Sequence, residues 1–463
     1  MAFKALRDWI DKHLLLTSFV VRIILILYST IHDEYFRVKY TDIDYMILTD
    51  GARAIVDAHK CPFERTTYRY TPLLALLMVP SVVWFDAFGK LLFSLCDLGV
   101  LHLCERLLDR YSVRESKLQM LKVFIAFNPV VLNVSTRGNS DMLMTLINLI
   151  AMALYDCRRY YAAAGMLGFG AHFKIFPLIY VPSFVFGVWH QLGERTRVGK
   201  EGELVDSSAS PISQRLQQTA KIALISGIFF SVSFAIPTGV SYFFCGDVYI
   251  QEAFLYHFHR EDHRHNFSPY WLTIYLNLAA RVMHYERQFA PGLWAFIPQA
   301  VVLLFTSWRL RRNILQACCT VTILFIAFNK VCTVQYFVWF IPLLPFVFTQ
   351  QSAFLSAPTE SVERSKTSRK GLQKSPKVPG AGHVYTVPSL RVIIIALTLW
   401  CSTIPLWVFT AYALEFQGKN HYGRVWLASG VFFLATTLLG GWVGRVSYFS
   451  QQNHPFPIKR KYI

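Results

Sequence analysis

Acidic residues are scarce in this chain: 28 Asp and Glu stand against 46 Lys and Arg, a formal net charge of +18. In a soluble protein that surplus would point to nucleic acid. Here the basic residues gather in short runs between apolar segments, the pattern that orients membrane helices, so a nucleic-acid partner is excluded. Also missing is any Cys-x-x-Cys pair or metal-ligand spacing among the nine cysteines. Several of them, Cys318, Cys319 and Cys401, lie in apolar windows, and the set is expected to serve packing. The first apolar run, Leu14 to Tyr28, lacks a small-residue cleavage site and is expected to stay as a span. Internal repeats of the kind common in transporters are not visible either.

What is abundant is apolar surface. Of 463 residues 54% are hydrophobic and 16% aromatic, more than a soluble domain of this length could hide. Stretches long enough to cross a bilayer, about 17–25 residues, recur along the whole sequence. The expected fold is therefore all-α and polytopic, and charge bias predicts about twelve crossings with residues 1–13 in the cytosol. Loops 29–69 and 247–270 then fall in the lumen. The segment Tyr70 to Phe85, interrupted by Pro80, is expected to be half-inserted, because a full crossing there would invert most later loops. Val334 to Thr349 is expected to descend as a span. The catalytic core is placed at 1–349 and a basic, disordered cytosolic insert at 350–388. A final pair of spans with a cytosolic tail occupies 389–463. Lys459 and Lys461 have the spacing of a dilysine retrieval signal, and a basic tail binding anionic lipid is the competing reading. Arg22, in mid-span, is expected to pair with a carboxylate such as Asp97 or to face a polar cavity.

Chemistry concentrates in the predicted lumenal turns. Asp42 and Asp44 stand one residue apart in the first loop, where the pair could bind a metal or take a proton from a hydroxyl; the plain alternatives are solvated turn residues or helix caps. Ser135 to Asp141, with Arg137, Asn139 and Asp141, joins two spans. His172 and Lys174 sit at a hairpin tip, and Arg264, His265 and Asn266 lie in the second loop. Asn329, Lys330 and Gln335 cap another pair of spans. Cations at bilayer depth are costly, so several in short turns point to an anionic ligand such as a phosphate, with snorkelling to headgroups as the alternative for Arg137 and Lys174. The histidines His257, His259, His263 and His265 fit no common zinc spacing, and Arg260 and Arg264 between them would repel a cation, so no metal is expected. The aromatic run Tyr336 to Phe340 could line a groove for an isoprenoid chain. A lipid or sugar transporter, a related polyprenyl-phosphate sugar transferase and a non-catalytic assembly subunit remain as rival functions.

Six segments in order carry a resemblance: Lys39 to Tyr45, Tyr68 to Leu74, Ser135 to Asp141, His172 to Lys174, Arg264 to Tyr270 and Phe328 to Tyr336. Together they closely resemble the catalytic-subunit family of glycosylphosphatidylinositol (GPI) mannosyltransferase I. The resemblance implies a GT-C membrane fold with lumenal juxtamembrane helices in the endoplasmic reticulum. It implies dolichyl-phosphate-mannose as donor, glucosaminyl-phosphatidylinositol as acceptor, an α-1,4 link for the first mannose, and a small single-span stabilising subunit. Asp42 and Asp44 take the place of the family's Asp-x-Asp, with Asp44 the first choice as base. Arg137, Lys174, Arg264, His265 and Lys330 are candidates to hold the departing phosphate. No cofactor is expected to be required, although the paired aspartates leave room for a divalent cation.

Overall fold

A computed structural model describes Trp9 and residues 12–58, 60–111, 115–195, 212–284, 292–348 and 390–453. The expected insert 350–388 and the basic tail lie outside the described residues. Within them every regular element is helical. The chain opens with α1 (Leu14–Tyr35) and α2 (Ile43–Ala58). Next come a short α3 (Pro72–Met78) and the long α4 (Phe88–Leu108). The turn-bearing stretch follows as α5 (Glu115–Ala126), α6 (Pro129–Thr136) and α7 (Asp141–Asp156). After it come α8 (Tyr160–Phe173), α9 (Val181–Arg195) and α10 (Ile212–Cys245). The last third holds α11 (Trp271–Val282), α12 (Phe296–Arg309), α13 (Ile314–Phe328), α14 (Leu390–Glu415) and α15 (Tyr422–Asn453).

Among the described residues five stretches are long and apolar enough to cross a membrane: α1, the α5–α6 pair over Leu118–Thr136, α10, and most of α14 and α15. The other expected crossings are shorter or interrupted by polar or proline residues. Pro72–Val83 is apolar but too short to cross, as the Pro80 break predicts. Val334 to Thr349 departs from expectation. It begins as two 3-10 turns, Val334–Trp339 and Ile341–Leu343, and not as a regular helix. Pro342 and Pro345 deny the backbone two N–H donors, and irregular backbone survives at such a place only when protein surrounds it. Phe337, Val338 and Phe340 are fully buried, which supplies that surrounding.

Packing in a bilayer gains little from hydrophobicity, so the bundle is held by close fit and by polar contacts. The main polar contact joins α1 to α4. Arg22 donates from Nε to Asp97 Oδ2 at 2.8 Å, with both side chains no more than 1% exposed. Its Nη1 also donates to the carbonyls of Ser18 at 3.0 Å and Ala126 at 3.2 Å. Ser135 of α6 donates its hydroxyl to the same Asp97 oxygen.

Removing one partner of such a pair strands the other charge. Arg22→Met is expected to lower stability by about 3–5 kcal/mol, and Arg22→Met with Asp97→Leu to recover most of it. Thermal unfolding of the solubilised protein reads this; a double variant no better than the single would show that the pair is not the source.

Candidate active site

The turn after α6 positions everything around it. Gly138 has φ +90°, and a Cβ there would lie 2.2 Å from the Tyr45 ring. Only glycine meets both demands. The backbone reversal lets the Arg137 carbonyl accept the Asp42 N–H at 2.9 Å. Arg137 Nε donates to the Tyr40 carbonyl at 2.7 Å, and the Tyr40 and Thr136 hydroxyls are 2.7 Å apart. Asn139 then reaches in two directions. Its Nδ2 donates to Asp44 Oδ2 at 3.1 Å, and its Oδ1 accepts the Asp141 N–H at 3.0 Å.

The two aspartates differ in role. Asp42 Oδ1 accepts the Asp44 N–H at 3.0 Å, the geometry of an N-cap on α2. Asp44, half-buried, has its carboxylate turned into the cleft against Asn139 and the Tyr70 hydroxyl. Burial and then the Asp42 charge push the Asp44 carboxyl up to about 6, while Tyr70 and Lys174 pull the other way. Burial, and then Asp44, hold the Tyr70 hydroxyl well above its usual range, so it stays a donor.

Across the cleft Lys174 Nζ donates to Asp141 Oδ1 at 2.6 Å, and Trp339 Nε1 donates to the same oxygen at 3.2 Å. Burial works against the Lys174 charge, but Asp141, Tyr336 and Asp44 together outweigh it and raise the pKa. The ammonium lies 5.3 Å from the Trp339 ring centre and 5.5 Å from that of Tyr336. Behind it is a cavity of about 240 Å³. Lys174, Arg260, His257, Asn329 and Lys330 supply its polar lining, and Phe176, Phe258, Phe296, Phe325, Tyr336 and Trp339 its apolar walls. Arg260 is anchored to Asp262 Oδ2 at 2.8 Å and to the Tyr336 hydroxyl at 3.1 Å. Burial and the nearby Arg260 charge bring the His257 imidazole down to about 4, so it is neutral near pH 7.

Asp44, Asn139, Asp141 and Lys174 thus come together as expected, with Asn329 and Lys330 on the adjoining cavity. Other candidates are placed elsewhere. His172 is buried with Nδ1 against the Thr238 and Tyr249 hydroxyls, at 3.0 and 3.2 Å, joining α8 to the end of α10 and the segment after it. Asn266 is a staple: its Nδ2 reaches the Lys330 carbonyl at 3.2 Å and its Oδ1 accepts from Cys332 N at 2.9 Å. Arg264 and His265 are exposed, with His265 nearest Glu415 at 3.9 Å. Gln335 is half-buried and outside the cavity lining. The expected isoprenoid groove narrows to Tyr336 and Trp339, since the residues between them point into the core. Conversely, His257, Arg260 and Tyr70 enter the site without having been chosen from sequence. Among the described residues no three His, Cys, Asp or Glu gather into a metal-binding group.

Comparison with known proteins now bears on this cleft. Residues 134–441 match the family described as Mannosyltransferase (PIG-M), and residues 68–192 match glycosyltransferase family 87. The chain is 44% identical to GPI mannosyltransferase 1 of Trypanosoma brucei brucei (strain 927/4 GUTat10.1), covering 97% of this chain and 96% of that protein. The chain belongs to the PIG-M mannosyltransferase family. It is therefore a glycosyltransferase. It is also 31% identical to the GPI alpha-1,4-mannosyltransferase I catalytic subunit of Danio rerio, over 91% of this chain and 93% of that one. The GPI mannosyltransferase 1 of Saccharomyces cerevisiae is 30% identical, over 92% of each.

One covalent tie in this family member was not legible beforehand. Cys61 and Cys245, expected to be packing residues, form a disulfide with Cα atoms 5.6 Å apart across a sequence separation of 184. From it the strap 62–70 runs to Asp44. Phe63 packs on Tyr68 and Tyr249, Arg69 pairs with Glu252 and lies 4.2 Å from the Tyr256 ring centre, and Tyr70 reaches the carboxylate. Either Cys61→Ser or Cys245→Ser is expected to lower stability by about 2–5 kcal/mol, and the double variant by no more than one alone. Thermal unfolding with thiol labelling under non-reducing conditions checks this; two free thiols in the untreated wild type would disprove the bond.

Proposed function

We propose that this chain transfers one mannose from dolichyl-phosphate-mannose to glucosaminyl-phosphatidylinositol, forming the α-1,4 link of the first GPI mannose. The observation that carries the reading is the cavity lined by Lys174, whose charge also acts on Asp44. Its lining combines three cations, Lys174, Arg260 and Lys330, with aromatic and aliphatic walls, the demand made by a phosphate on an isoprenoid. The name of the zebrafish relative supports the linkage.

The chemistry follows from the donor's β configuration: one inverting displacement gives the α product. The acceptor O4 attacks the mannosyl C1, the C1–O bond to phosphate breaks, and the O4 proton passes to Asp44. Dolichyl phosphate leaves as an anion, so no general acid is needed. Lys174 and Arg260 face the oxygen on which charge develops. Lys174 enters held by Asp141, and a phosphate would share its charge. Asn139 and Tyr70 hold Asp44 by donating to it. A carboxylate at about 6 is a stronger base than an ordinary aspartate and is still ionised at neutral pH.

The lumenal face of the endoplasmic reticulum is the proposed place of action, with a small single-span subunit as the proposed stabilising partner. The Cys61–Cys245 bond supports the former, because such bonds persist in an oxidising compartment and this one lies on the strap that leads to Asp44.

The decisive assay supplies labelled dolichyl-phosphate-mannose and glucosaminyl-phosphatidylinositol to membranes carrying the folded protein and its partner, with and without chelator. A mannosylated lipid is expected, and none at all would refute the reading. Asp44→Asn is expected to lower turnover by about 10²–10⁴-fold. In the wild type kcat/KM should fall on the acid side with a midpoint near 6, as Asp44 takes up a proton. Asp42→Asn keeps the cap but removes a charge that raises the Asp44 pKa, so its acid limb should shift to lower pH. A limb unmoved by Asp42→Asn, with activity retained in Asp44→Asn, would remove Asp44 as base.

A further inference from the structure

A second cavity of about 260 Å³ lies between α8, α9 and α10. Its walls are hydrocarbon, chiefly Ala164, Leu167, Val185, Ile222 and Phe230. Of the polar groups in its lining, the Tyr155 hydroxyl donates to the Phe184 carbonyl at 2.9 Å and the Thr219 hydroxyl to the Arg215 carbonyl at 2.8 Å, and Ser226 and Ser231 add two small hydroxyls. The lining is predominantly hydrocarbon, which suits a hydrocarbon occupant.

The occupant is indicated by position. Leu178, just past the Lys174 turn, borders both this cavity and the phosphate-binding one. A lipid whose phosphate is held by Lys174 and Arg260 must carry its chain away along the apolar walls of the first cavity, and Leu178 stands in the wall of both cavities. A chain tethered there by its own headgroup has a far higher local concentration than any free lipid tail.

We propose that the α8–α9–α10 cavity takes the distal isoprene units of the donor and so makes the enzyme sensitive to polyprenyl chain length. The inference rests on the polyprenyl-phosphate reading above.

Gly227 provides the test. It lines the cavity, and a Cβ added there would meet no atom within 4 Å. Gly227→Phe therefore adds a ring at the cavity wall without displacing backbone, and it replaces the poorest helix former short of proline. Mannosyl phosphate on a full-length dolichyl chain is compared with mannosyl phosphate on a ten-carbon citronellyl chain. Wild type is expected to show a KM for the long donor about tenfold or more below that for the short one, since each buried methylene strengthens binding. Gly227→Phe should raise the long-donor KM to the short-donor value and leave kcat and the short-donor KM unchanged. Gly227→Ala, which leaves most of the volume open, should behave as wild type. A long-donor KM untouched by Gly227→Phe, or both KM values raised equally, overturns the proposal while leaving the donor class standing. Failure of the wild type to use either donor sinks the donor class, and this inference with it.

Discussion

A charge inside a bilayer must be partnered, and in this protein the partnering runs through one short turn. Arg22 is held by Asp97, and Asp97 is held in turn by Ser135, the residue that begins the turn. From there the chain offers Thr136 to Tyr40, the Arg137 carbonyl to Asp42, and Asn139 to Asp44 and Asp141. Asp141 finally holds Lys174. The ion pair that fixes α1 against α4 is thus connected, bond by bond, to the proposed base and to the proposed phosphate cation. Gly138 makes this possible, because a side chain there would strike Tyr45 and the required φ is closed to most residues.

The same low-dielectric setting decides which carboxylate does what. Three aspartates, Asp42, Asp44 and Asp141, influence one another, and full ionisation of all three would be costly without compensation. Asp141 is compensated by Lys174. Asp42 is compensated by a backbone N–H at a helix N-terminus, where negative charge is favoured. Asp44 is hydrogen-bonded to a neutral amide and a neutral phenol, and burial, then the Asp42 charge, raise its proton affinity. The difference between a structural and a reactive aspartate is one of partners, not of residue type.

That difference also marks how much the sequence could tell. The helical membrane architecture was legible because apolar windows of spanning length need no tertiary information to be recognised. Arg137, Asn139, Asp141 and Lys174 were legible because polar groups in short turns between apolar runs are costly without a purpose. The facing of a loop was not. Arg264 and His265 turn outward while His257 and Arg260, a few residues earlier, line the cavity, and no periodicity separates them. His172 looked like Lys174 but closes a contact between helices. An apolar run such as 334–348 reads equally as a span or as buried 3-10 turns; its two prolines were the available signal. The cysteine pair carried no local spacing to read.

The disulfide nevertheless supports one side of a choice that charge counting left as a preference. Two cysteines can bond only from the same side of a membrane, so an even number of crossings must separate Cys61 from Cys245. The charge-based assignment satisfies this only if Tyr70 to Phe85 does not cross. Counting that segment as a full span makes the number odd and parts the two sulfurs. Its length agrees, since Pro72–Val83 is too short to cross.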